Sequence, residues 1–391
     1  MTATLYVGRG RTLTSYDLDP DDGTLTERSA LALPNTIQFG RPHPRLPVLY
    51  VSCGEPPPGS DVGDWVCAVA LRPGSGAPAL LADPVRIAGR ALHLTTDTSG
   101  AHLVLAHTRP AVLSVLRLGP GGAIGAPVGQ RPDLELGVFP HQVRVTPDDR
   151  FCLCVCRGLP SPHPWRASRE PQTAPGSLHV LDLDAGRLGA SVTVTVGDGT
   201  HFGPRNLDTD ATGSTYYLAL ETQNELLVLG TDADGRPDPT PRQRLSTLAH
   251  PEAQIHQGVG PVLVHPGRAV VYVANRAYRP GAGAPRVIPA AAENSIVAYA
   301  IDGTGLLREL QRIDSGGVCP RTMSLDPTGR TLVVANSETY RVGDDDGAPE
   351  VGMNLATFRV LDDGRLAPLH RLPVGDGSGP EIAWSGIATH P

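Results

Sequence analysis

Four arginine- and histidine-bearing stretches of this 391-residue chain place chemistry at comparable positions. His141 opens "HQVRVTPDDRFCLCVCRG", Arg205 opens "RNLDTDATGSTYYLALETQN", and Arg321 opens "RTMSLDPTGRTLVVANSE"; Arg276 closes "VVYVANR". Glu221 follows the second apolar run of the Arg205 stretch. A guanidinium is a planar fork suited to holding a carboxylate or phosphate through two hydrogen bonds. Histidine titrates near neutrality and relays protons. Together with a glutamate, these types suit acid–base chemistry on a small anionic molecule. The sequence has no phosphate-cradling glycine loop opening a helix, no G-x-S-x-G elbow and no H-E-x-x-H pair.

The elements that must position these residues are short strands. Gly 45 and Pro 39, with 40% apolar residues and few aromatics, suit many strands and turns rather than long helices. A net charge of −7 with no basic block argues against nucleic-acid binding. No apolar run approaches the roughly 18 residues of a membrane span, so no membrane partner is expected. "MTATLYVGRG" lacks the basic and apolar regions of a secretory leader, which predicts a cytoplasmic protein. Cys152, Cys154 and Cys156 alternate and therefore share one strand face. Their Cβ atoms would stand about 7 Å apart along the strand, too far for neighbouring disulfides, so buried reduced thiols are expected.

One unit recurs roughly every 50 to 65 residues: a short strand, a turn built from Pro, Asp or Gly, an apolar strand, then two further strands. "RALHLTTDTSGAHLVLAHTRP", "TIQFGRPHPRLPVLYVSCGE" and "GPVLVHPGRAVVYVANRAY" repeat it, followed by strands such as "GSLHVLDLD" and "NSIVAYAID". The chain opens in mid-unit and ends on "GPEIAWSGIATHP", which supplies the missing first strand. The sequence thus predicts an all-β, seven-bladed β-propeller over residues 1–391, with four-stranded antiparallel blades and one blade shared by the N- and C-terminal strands.

In such a blade, the segment entering the innermost strand and the segment leaving the second strand lie at one end. That rim should carry His141, Arg205 and Arg321 on entry, and His107, Arg157, Glu221, Arg276 and Asn336 on exit, with Arg9 in the closing blade. The longest insertions, all Pro- and Gly-rich, fall between second and third strands and should wall the same rim. Glu221 can pair with Arg205 or Arg276, but one glutamate cannot neutralise so many arginines. The surplus predicts a small anionic ligand.

"FPHQVRVTPDDRF", "HFGPRNLDTDATGSTYYLALE", "VVYVANR" and "CPRTMSLDPTGRTLVVANSE" resemble the seven-bladed propeller lactonases, which include a bacterial type of 6-phosphogluconolactonase and the fungal 3-carboxy-cis,cis-muconate cyclase. The resemblance implies a site at the channel mouth with His141, Glu221, Arg205 and Arg276 catalytic, and no cofactor. Arg321, Arg157, His107, Arg9 and Asn336 are the candidate substrate-binding residues of the rim. The chain departs from the family pattern at Asn206, where a histidine is common, at Cys156-Arg157, where the family has Asp-Leu, and at His107. A sugar-phosphate lactone and a polycarboxylate both fit this more positive rim. The leading expectation is a lactone hydrolase; a lactonising cycloisomerase and a non-catalytic docking propeller are its rivals.

Overall fold

The computed structural model describes residues 3–54, 63–71, 77–158, 174–197, 199, 202–253, 255–278, 286–343, 347–375 and 379–389. Among these, seven antiparallel sheets form the blades of a propeller. Blade 1 joins Ala3–Arg9, Thr12–Leu18 and Leu25–Ala32 to the chain's last strand, Ile382–Thr389, as the split repeat predicts. The innermost strands of blades 2 to 7 are Ile37–Pro42, Arg90–Thr96, Pro140–Val145, Pro204–Thr209, Gln257–Val264 and Pro320–Leu325. Neighbouring innermost strands touch all the way round, and Ile382–Thr389 closes the ring between blades 7 and 2.

The second strand of each blade is buried on both faces, which explains its continuous apolar run. Its alternate side chains enter different interblade cores. Leu153 and Val155 pack toward blade 5, whereas Cys152, Cys154 and Cys156 pack toward blade 3. Seven such apolar clusters fill the seven interfaces between blades, so each blade is stabilised by both neighbours. All six cysteines are buried and free, with the Cys154 and Cys156 sulfurs 3.7 Å apart. Glutamines strap adjacent blades: the Gln243 side chain donates to the Leu307 carbonyl and accepts from its amide, both at 2.8 Å.

The first hairpin turns work as their sequences suggest. The Asp210 carboxylate accepts the amides of Thr212 and Ser214 at 3.1 and 3.0 Å, and Gly213 takes the left-handed conformation at φ 73° that the turn requires. At the opposite end the insertions follow the second strands. Parts of these, 55–62, 159–173, 279–285 and 344–346, lie outside the described residues. Within the described portions, Val287–Ile288 from blade 6 pairs with Tyr340–Val342 from blade 7, which in turn pairs with Glu350–Val351. This small sheet ties two adjacent loops together.

Candidate active site

Every innermost strand enters the channel with an irregularity in its pairing. In blade 4, Pro140 pairs with Cys156 and Gln142 with Val155, so His141 has no ladder partner. Arg205 and Arg321 occupy the same extra position in blades 5 and 7. Gln38, Leu92 and Ala383 do so in blades 2, 3 and 1, and blade 6 skips Gly260 and Pro261. A bulged residue is released from the pleat and can be re-aimed. Here the bulges ring the channel: Gln38, Leu92, His141, Arg205, Pro261, Arg321 and Ala383 all line one cavity of about 520 Å³.

A second set comes from just beyond the second strands. Arg157 and Glu221 each follow the residue paired at the strand entrance, and Arg276 holds the corresponding place in blade 6. The Glu221 side chain is buried among three guanidiniums. Its Oε1 lies 2.6 Å from Arg276 Nη2 and 3.2 Å from Arg205 Nε, and its Oε2 lies 2.8 Å from Arg157 Nη1. Both oxygens are therefore engaged by cations. Glu221 holds the arginines in place and offers little lone-pair density to a water.

The charges act on one another. Burial works against the charge on Arg205, Arg276 adds to this, and the pKa is pushed down to about 9 despite Glu221. Burial also opposes the charge on Arg276, but Glu221, Cys319 and Tyr278 together outweigh it and the net shift is upward. Burial, and then Arg205, hold His141 well below the usual imidazole range, with Glu221 pulling the other way. His141 is thus neutral at pH 7. Its Nδ1 is sealed from solvent without a hydrogen-bond partner, so Nε2 is the nitrogen a ligand can reach. The ring lies nearly parallel to Phe139, over which Arg157 also sits, its guanidinium carbon 4.6 Å from the ring centre.

Arg321 differs from the caged arginines. Its Nε donates to the Ala383 carbonyl at 3.1 Å, and among the described residues its guanidinium meets no carboxylate. Among the described residues that line the cavity, seven arginines face three carboxylates, an excess of four positive charges.

Arg9, His107 and Asn336 do not line this cavity, contrary to the rim expected from sequence. The reason is register. Arg9 pairs with Ile382, His107 with Ala91 and Asn336 with Pro320, which is the ladder-paired position held by Cys156 and Leu220 in blades 4 and 5. Arg157 and Glu221 sit one residue later, and one residue reverses the face of a strand. Arg9 Nε donates to the Pro380 carbonyl at 2.8 Å, and His107 Nδ1 to that of Gly89 at 2.7 Å. Asn336 Nδ2 donates to the Ser315 carbonyl at 2.9 Å and Asn354 Oδ1 at 3.0 Å, clipping blade 7 together.

The cavity also includes residues that the sequence did not single out: Arg41, His93, Arg144, Asp208, Cys319 and Glu338. The repeat itself offered the signal, since Arg144 and Asp208 each lie three residues after a bulge, as does Arg41. Glu338 accepts from Tyr340 Oη at 2.6 Å and from the Cys319 thiol at 3.6 Å. Burial pushes that thiol up to about 11, against the pull of Arg276, so it stays protonated.

A family model described as Lactonase, 7-bladed beta-propeller matches residues 1–343. The chain belongs to that family. This lactonase-family propeller is similar to the periplasmic gluconolactonase PpgL of Pseudomonas aeruginosa, at 19% identity over 100% of both chains, with a TM-score of 0.74. It is similar also to a protein from Lactobacillus plantarum, at 19% identity over 99% of both chains, with a TM-score of 0.71. At these identities the likeness establishes a shared fold. No curated protein matches the chain. Membership in the lactonase family supports a hydrolase that opens lactones.

Proposed function

We propose that this chain hydrolyses a lactone bearing an anionic substituent, without a cofactor, in the arginine-lined cavity. The observation that carries this reading is the excess of arginines around a neutral, unpartnered His141. Arg321, with no carboxylate of its own among the described residues, grips the substrate's carboxylate or phosphate. Arg205 and Arg276, held in place by Glu221, face the lactone carbonyl oxygen, on which negative charge develops as the tetrahedral intermediate forms. Donors so placed are worth roughly 3–4 kcal/mol each to a transition state.

His141 is the general base. Nε2 takes a proton from water as the water oxygen attacks the lactone carbonyl. The tetrahedral intermediate collapses with cleavage of the ring ester bond, and the imidazolium returns the proton to the leaving alkoxide. Burial, and then the neighbouring cations, depress His141, and an arriving anion offsets the second of these. Glu221, with both oxygens on guanidiniums, serves as the positioning residue of this arrangement.

The test is a panel of lactones carrying carboxylate or phosphate groups, read by mass spectrometry on wild type and His141→Asn. A product heavier by one water, formed at least about 100-fold more slowly by the variant, supports the reading. An isobaric product would make the protein a cycloisomerase instead. Absence of turnover with every member would leave a docking propeller.

A further inference from the structure

Below the bulges, three residues further along each innermost strand, a lower tier of side chains faces the channel. Its members share one ladder position: Arg41 is opposite Tyr50, Arg144 opposite Leu153, Asp208 opposite Tyr217 and Ser324 opposite Val333. All four border the cavity. His93 lies on blade 3, between the strands that carry Arg41 and Arg144, one residue beyond the bulge at Leu92 and so above this tier, and borders the cavity too. At about 3.3 Å per residue, this tier lies about 10 Å along the strands from the bulge ring.

We propose that Arg41, Arg144 and His93 form a second anion subsite in the channel, matched to a single carboxylate group. The Arg41 side chain is exposed to the channel, and its guanidinium makes no hydrogen bond or ion pair among the described residues. Arg144 Nη2 pairs with Asp208 Oδ1 at 2.7 Å, while Asp208 Oδ2 accepts the Val264 amide at 2.8 Å. Arg144 and Asp208 therefore neutralise each other and leave the charge of Arg41 uncompensated. One uncompensated charge suits a monoanion; a phosphate dianion would bring a second negative charge with no counterpart.

His93 completes the subsite as a neutral hydrogen-bonding group. It is only 7% exposed and stacks against Phe39, with ring centres 3.9 Å apart. Burial, then Arg41, Arg144 and Arg205, hold it well below the usual imidazole range. Its Nδ1 is sealed and has no partner. The stacked ring is fixed and uncharged, so it adds a directed contact without altering the charge balance. With Nδ1 sealed, Nε2 is the nitrogen a carboxylate in the channel can reach, and among the described residues it has no hydrogen-bond partner.

The two tiers would then seat the two ends of one molecule, with Arg205 and Arg276 at the reacting ester, Arg321 on the adjacent anionic group and the lower tier on a second, remote carboxylate. This assignment of the occupant rests on the lactone reading above; the subsite does not. Binding of linear dicarboxylates from succinate to azelate, measured by calorimetry at fixed ionic strength against monocarboxylates of equal length, tests it. Two linked contacts bind more tightly than one when the linker matches the span. Affinity should peak near suberate, about tenfold above octanoate, and Arg41→Gln should abolish the peak. Arg308→Gln, which removes an exposed arginine from the outer strand Leu307–Asp314, should keep it. No length optimum in the wild type, or an optimum retained in Arg41→Gln, overturns the subsite. The assay needs no turnover: a peak without lactone hydrolysis refutes only the lactonase reading, and hydrolysis without a peak refutes only the subsite.

Discussion

Glu221→Gln keeps the size of the side chain and removes the charge shared by two buried guanidiniums, Arg205 and Arg276, and the partly buried Arg157. With charge centres about 4 Å apart and an effective dielectric near 20, each pair contributes about 4 kcal/mol of attraction. Mutual repulsion among the arginines and the cost of burying all four groups offset much of the sum. Breaking a buried pair by removing one partner costs about 3–5 kcal/mol. For 391 residues, an unfolding entropy of about 2.1 cal/mol/K per residue gives about 0.8 kcal/mol/K. The variant should therefore melt about 4–6 °C below wild type in scans at one rate and fixed ionic strength. Inorganic phosphate should restore part of that loss, because an anion can occupy the place among Arg157, Arg205 and Arg276 that the carboxylate vacated. A variant melting within about 1 °C of wild type, or gaining no more from phosphate than wild type does, would refute the cage.

Three further outcomes are expected. Arg321→Ala should raise KM about 10- to 100-fold for an anionic lactone with kcat little changed, because it removes binding common to ground and transition states; steady-state kinetics check this. Acid should destabilise the fold: His93 and His141 have depressed pKa values when folded, so between those values and about 6.5 the unfolded chain binds more protons. Stability is then complete above about pH 6.5 and falls as pH drops below it, and His93→Gln should flatten that slope in urea titrations. Asn336→Ala should cost about 2–4 kcal/mol by stranding the Ser315 carbonyl and the Asn354 side chain. The folded fraction should retain wild-type kcat/KM, since Asn336 touches blade 7 and not the cavity.

The blades were legible because strand chemistry is local. The D-x-x-G turns, the doubly buried second strands and the split repeat each mark themselves in a few residues, and pairing Ala3–Arg9 with Ile382–Thr389 follows from them. That Arg205, Glu221, Arg276, Arg157, His141 and Arg321 gather at one cavity was legible for the same reason, as all flank those elements. Depth within the channel was not legible. Whether a strand-end residue faces lumen or ladder depends on a one-residue offset, and Arg9, His107 and Asn336 lie on the ladder side of it. The lower tier was hidden differently: Arg144 and Asp208 look like the polar members of ordinary alternating strands, and Arg41 stands beside the Pro42-His43-Pro44 turn. Only the register shared by all blades brings them to one level.

The closing pair also determines how the ring responds to force. Ala3 lies opposite Thr389, and Arg9 lies opposite Ile382, so the two ends of the described chain meet at the same extremity of one antiparallel pair. Tension applied between them loads the ladder one hydrogen bond at a time, as in opening a zip, whereas a shear geometry would load all the bonds together. A propeller pulled in this way is mechanically weak however well its cores resist heat. The separation nonetheless starts at Ala3 and Thr389, passes Ile387, Gly386 and Ser385, and reaches Trp384 and the bulged Ala383 last, so the mouth of the site is the final part of the seam to open.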